Sequence, residues 1–186
     1  MIWVGVQYLS LPFRFMRVQA FALWTKSFPG GKSQEHGGTI VEGSTGKEYL
    51  INEGGGTSGS FSPNLKTPSS RFSVIGVFHT HPYDSTEGGH TGVSLSGGDA
   101  AYLILKGHKI IIAQSGSQQF MFMRTQNTST SVNYSALDNS NNLRIGQLTA
   151  SGMKYNAASQ QAAKEMANKH GLAYYEGTNG VFKKVN

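Results

Sequence analysis

Apolar positions along the chain fall into short runs with two different periods. Phe72, Val74, Ile75, Val77 and Phe78 form a β-branched and aromatic run that predicts a buried strand. The run closes on His79-Thr80-His81-Pro82, and Pro82, with no N–H for a sheet ladder, stops it. Residues 38–42 and 47–52 predict two strands joined by Gly43-Ser44-Thr45-Gly46. Residues 109–113 and 119–124 predict a second hairpin around Ser115-Gly116-Ser117. There Phe120 and Phe122 share one face and Met121 and Met123 the other, which implies burial on both sides. A helical reading applies in two places. Ser96-Gly97-Gly98-Asp99 opens an apolar helix over residues 100–106. Residues 157–170 repeat Ala158, Ala162 and Met166 at i, i+4 and i+8, with Asn156 placed to cap the start and Gly171 the end. Residues 172–175 and 181–185 then read as a short hairpin around Gly177-Thr178-Asn179-Gly180.

The remaining stretches lack a period. Residues 53–70 and 126–142 are rich in Ser, Thr, Asn and Gly and read as loops. Residues 1–24 are apolar but carry Pro12, Arg14 and Arg17, which are costly at mid-bilayer, so no transmembrane span is expected. The charges follow the apolar run, the reverse of a signal peptide. This segment is expected to pack on the domain as a strand and a helix. The organisation read from the sequence is therefore an N-terminal segment (1–33), a core (34–125), a linker or long loop (126–155) and a C-terminal helix plus hairpin (156–186).

Composition changes this picture little. The 186 residues contain no Cys, which excludes a disulfide framework and any Cys-based metal site. The net charge of +6 permits contact with nucleic acid or an anionic envelope. The basic residues are spread along the chain and form no run, so no specific nucleic-acid partner is expected.

The chemistry concentrates between Val74 and Ala101. Side chains alternate along a strand, so His79 and His81 point to the same side and can reach one metal ion. Asp99, in the first turn of the following helix, can supply a third ligand. Two His, a carboxylate and an open fourth position is the ligand set of a catalytic zinc site, whose water ionises near neutral pH. Ser-x-x-Asp is equally the capping box of an ordinary helix.

Taken together, the strand, His79-Thr80-His81-Pro82, a glycine-rich loop and Ser96-x-x-Asp99 resemble the motif of the JAMM metalloprotease family. That pattern is an upstream Glu, then H-[ST]-H-P, then S-x-x-D. The thirteen-residue loop between Pro82 and Ser96 is longer than usual for the family. In this it is more similar to the JAB-like domains of bacterial polymorphic toxins, which carry E-[YF]-G-G-x-I upstream. Glu35-His36-Gly37-Gly38-Thr39-Ile40 resembles that signature.

The resemblance implies an α/β fold, a JAB/MPN-like mixed β-sheet with flanking helices. It implies zinc on His79, His81 and Asp99, a general base at Glu35 and an oxyanion-holding role for Ser96. Glu42, at the end of the same strand, is the rival base. Thr80, inside the motif, and His90, in the loop over the site, are candidate substrate contacts. Asp84 and Glu87 are loop carboxylates that a second ion could use. The implied activity is hydrolysis of a peptide, isopeptide or peptidoglycan-type amide by a secreted or delivered effector, or else a cytoplasmic protein. An immunity protein is the implied partner. A metal-dependent nuclease toxin and a non-catalytic scaffold are the other readings.

Overall fold

The computed structural model describes residues 8–10 and 14–186, with side chains from Gln19 onward. In chain order the elements are β1 (Tyr8–Ser10), α1 (Arg14–Lys26), β2 (His36–Gly43), β3 (Glu48–Gly55), β4 (Phe72–Thr80), α2 (Gly97–Lys106), β5 (Ile110–Ser115), β6 (Gln118–Arg124), α3 (Tyr134–Ala150), α4 (Tyr155–His170), β7 (Leu172–Thr178) and β8 (Val181–Lys184). Among the described residues the strands form one mixed sheet in the order β1-β8-β7-β6-β5-β4-β2-β3. All neighbours are antiparallel except β4 and β5, which are joined by a crossover through α2.

Strand alternation builds the core on both faces of this sheet. On one side Val77, Ile111, Phe120, Phe122 and Tyr174 pack with Leu103 and Ile104 of α2 and Ala163 and Met166 of α4. On the other side Phe78, Ile112, Met121 and Tyr175 pack with Ala20 and Leu23 of α1. Phe120, Met121 and Phe122 are fully buried, as the two-sided pattern implied. The α/β class and the mixed sheet with flanking helices match expectation. Among the described residues no helix is long and apolar enough to cross a membrane.

Two expectations are corrected. Residues 126–155 are not a linker, because they contain the 17-residue helix α3, capped by the Asn133 side chain on the Ala136 N–H. Its composition is polar, but Leu137, Asn141 and Leu148 form a narrow buried stripe against α2 and α4. Tertiary packing supplies what propensity does not. The C-terminal helix and hairpin exist as α4, β7 and β8, and β7 pairs along β6 and extends the main sheet. Helix α4 starts at Tyr155 with Lys154 at its N-cap position, so Asn156 is not its cap. The N-terminal strand and helix exist as β1, which pairs with β8, and α1; residues 1–7 and Pro12 lie outside the described residues.

Candidate metal centre

The crossover from β4 to α2 brings the C-terminal end of one strand to the N-terminal end of one helix. Backbone N–H groups at a helix start carry positive partial charge and favour a carboxylate there. Ser96 caps α2: its Oγ accepts from the Asp99 N–H at 3.1 Å, and its N–H donates to Asp99 Oδ2 at 2.7 Å. The Ser96 hydroxyl also donates to Asp99 Oδ2, at 2.8 Å. The capping and ligand readings of Ser-x-x-Asp are thus one arrangement, because the cap that starts the helix aims the carboxylate.

His79 and His81 meet that carboxylate from β4. Their Nε2 atoms are 2.8 Å apart, with His79 Nε2 at 3.1 Å from Asp99 Oδ1 and His81 Nε2 at 3.4 Å from Oδ2. All three ligand atoms lie within 4.8 Å of one another, so the group can hold one metal ion. His81 Nδ1 lies 3.0 Å from the Ser94 carbonyl, which keeps a proton on Nδ1 and turns Nε2 inward. His79 Nδ1 is buried without a hydrogen-bond partner among the described residues.

The charges reinforce one another. Burial disfavours a charged His81, but the Asp99 hydrogen bond and charge, helped by Glu35 and Ser94, push its pKa up to about 9. Burial likewise opposes an ionised Asp99, and His79 and His81 overcome it, holding the carboxyl well below its usual range. Without a metal the cluster therefore stores a proton beside a carboxylate, and metal and proton compete for the same atoms.

Glu35 sits at the head of β2, where Gly37 pairs with His79. It is 8% exposed, and burial raises its pKa, with His79 and His81 pulling the other way. Its backbone is clamped on both sides: the Glu35 N–H donates to Thr57 O at 2.7 Å, and its carbonyl accepts from the Gly56 N–H at 2.8 Å. Gly37 is required here, since a Cβ would lie 2.3 Å from Phe78 O and 2.7 Å from the Phe61 ring. Glu42 stands at the opposite end of β2 and pairs with Lys109 at 2.7 Å, outside the cleft. Of the two glutamates, Glu35 lines the cleft and Glu42 does not.

These groups line a cleft of about 270 Å³. Loop residues 58–61 form one wall, and the tyrosines Tyr83, Tyr134 and Tyr155 stand around it with Asn141. Sequence reasoning missed Tyr134 and Asn141 because it read their segment as a loop. The available signal was Leu137, Asn141 and Leu148 at helical spacing.

Two candidate contacts are corrected. Thr80 points to the opposite face, where its buried hydroxyl bonds Ser27 Oγ at 2.7 Å and accepts from the His36 N–H at 2.9 Å. It therefore cannot touch a substrate in the cleft. His90 is not part of the cleft lining; it stacks on the Tyr155 ring at 4.7 Å and meets Tyr83 edge-on. Nor are Asp84 and Glu87 free for a second ion. Asp84 caps the turn Ser85–Glu87 and accepts from the Ser33 N–H at 3.0 Å, while Glu87 accepts from the Ser33 hydroxyl. They brace the segment leading into Glu35.

No family model, no curated protein and no solved structure matches the chain.

Proposed function

We propose that this chain is a zinc-dependent hydrolase of an amide or isopeptide bond, a JAMM-type metallopeptidase with a JAB/MPN-like fold. One observation carries the proposal: two imidazoles and a carboxylate converge within 4.8 Å in a cleft that also holds the buried Glu35. Tetrahedral zinc with nitrogen and oxygen ligands keeps its donor atoms about 3.3 Å apart. The 3.1 Å from His79 Nε2 to Asp99 Oδ1 and the 3.4 Å from His81 Nε2 to Asp99 Oδ2 are near that spacing, each to a different carboxylate oxygen, and the 2.8 Å imidazole pair is shorter. His79, His81 and Asp99 would hold the ion. When bound, zinc supplies a Lewis acid that polarises the scissile carbonyl and makes water more acidic.

The chain's own groups do the rest. Glu35 takes the proton of the attacking water and hands it to the leaving amine, and its raised pKa brings it toward the working range of such a shuttle. The Ser96 hydroxyl turns from Asp99 to the substrate oxygen as negative charge develops there. Ser94 holds His81 in its tautomer. The motif style extends the proposal to a secreted or delivered bacterial effector, acting on a peptide, isopeptide or peptidoglycan-type amide and neutralised by an immunity protein.

The experiment is to incubate wild type and His81→Ala with isopeptide conjugates, cell-wall peptides, plasmid and total RNA. Zinc-dependent cleavage of an amide by wild type alone supports the proposal. Loss of nucleic acid with every amide intact refutes it and favours a nuclease.

A further inference from the structure

Asn141 stands where a structural helix would place an apolar residue. The buried residues of α3 are Leu137, Asn141 and Leu148, at i, i+4 and i+11 of one stripe. Asn141 is 3% exposed, yet neither its Nδ2 nor its Oδ1 has a hydrogen-bond partner among the described residues. Buried amides are normally paired, and leaving both atoms unpaired costs stability. A leucine, with the same branched shape, would leave no polar atom unpaired there.

Its position gives the reason. Asn141 lines the cleft and abuts the first turn of α2: a Cβ on Gly97 would lie 2.9 Å from Asn141 Cβ and 2.6 Å from Asp138 Cα. Gly97 follows the Ser96 cap and precedes Asp99 by two residues, so the glycine lets α3 bring a carboxamide close against the turn that presents the carboxylate. A second unpaired group lines the same cleft, the Tyr102 hydroxyl, one helical turn beyond Asp99.

We propose that Asn141 is the substrate-reading residue of this cleft, its Nδ2–H donating to the C=O and its Oδ1 accepting from the N–H of one residue in an extended peptide backbone. A carboxamide offers a donor and an acceptor side by side, which matches the N–H and C=O that one extended residue presents on the same side. An ester or a phosphodiester offers acceptors only and leaves Oδ1 unpaired. The inference rests on the amide-hydrolase reading and names its substrate class: an uncharged stretch of peptide backbone, held by a residue outside the hydrolytic group.

The probe is acetyl-Gly-Gly-Gly-amide, added to zinc-loaded protein while the Asn141 side-chain amide is followed by NMR. A set of depsipeptides, each with one backbone amide replaced by an ester, is run alongside. Asn141 resonances are expected to move with the peptide, and one depsipeptide is expected to bind roughly tenfold more weakly. Asn141→Leu should keep its zinc, melt no lower than wild type and bind the peptide at least about tenfold more weakly. Asn141→Asp, which loses the donor, should also bind weakly. Resonances that stay still at the highest soluble peptide concentration overturn the proposal. So does a lower melting temperature for both variants, which marks an internal structural role. Peptide binding at Asn141 with no amide cleaved anywhere sinks the hydrolase reading and leaves the recognition role standing. Amide cleavage by Asn141→Leu with unchanged KM does the reverse.

Discussion

The end of β4 carries polar side chains on both faces, and the two faces treat them differently. On the α1 face the Thr80 and Ser27 hydroxyls are both used. Thr80 Oγ1 accepts from the His36 N–H and meets Ser27 Oγ, which in turn donates to Leu23 O at 2.9 Å. On the cleft face His79 Nδ1, the Tyr102 hydroxyl and both Asn141 amide atoms have no partner among the described residues. Two imidazole nitrogens also face each other at 2.8 Å. Unpaired atoms also occur outside the cleft, at Gln19 Oε1 of α1, Glu48 Oε2 and His108 Nε2, so what distinguishes the cleft is that three unpaired side chains gather around one carboxylate. His79 and Thr80 are neighbours on β4 and both are buried, so burial alone does not explain the difference.

The largest effect is expected at Glu35. Glu35→Gln should lower hydrolysis by about 10²–10⁴-fold with zinc content unchanged, because the amide cannot take the water's proton. Glu42→Gln, at the far end of β2, should leave the rate where it was. A dead Glu42 variant beside an active Glu35 variant would move catalysis out of the cleft.

Thr80→Val tests the satisfied face. It strips the acceptor from the His36 N–H and should cost about 1–3 kcal/mol in urea denaturation, with metal content intact. Loss of the metal as well would show that the two faces are not independent.

The pH dependence of the metal-free protein sharpens the contrast further. His81 titrates at about 9 when folded against an ordinary value of 6.5, so its contribution is complete below 6.5 and lost as pH rises through 9. Asp99 is held below its ordinary 3.8, so its contribution is present above that value and lost as pH falls. Thermal melts should therefore show an alkaline decline without metal, and zinc should remove it by replacing the proton. An alkaline decline that zinc leaves untouched would assign it to other groups.

The smallest effect is expected from Tyr102→Phe. Removing a buried hydroxyl that has no partner should leave stability unchanged or raise it, in contrast to the loss at Thr80→Val. A cost as large as that of Thr80→Val would mean the hydroxyl is satisfied after all.

How much of this was legible in the sequence depended on the range of the forces involved. The strand into His79 and His81 and the cap at Ser96 are local patterns, and both appear where the spacing puts them. Strand alternation also turns Thr80 away from the histidines; its assignment to substrate came from the motif and ran against that geometry. Helix α3 was hard to read because Asn141 interrupts its apolar stripe and Ser and Asn surround it, which leaves Leu137 and Leu148 as a weak signal that contact with α2 and α4 makes plain. The same polar residue that hid the helix is the one left unpaired in the cleft. His90 was misjudged because nothing local says which way a glycine-rich loop folds, and here it folds the ring onto Tyr155.

The central claim is that His79, His81 and Asp99 form one metal centre. Its most direct test is the zinc content of purified wild type, His79→Ala and Asp99→Ala after loading and exhaustive buffer exchange. About one zinc per wild-type chain and none in either variant is the expected result, since a site reduced to two ligands does not hold zinc tightly. Wild type without zinc, or full occupancy in both variants, would contradict it.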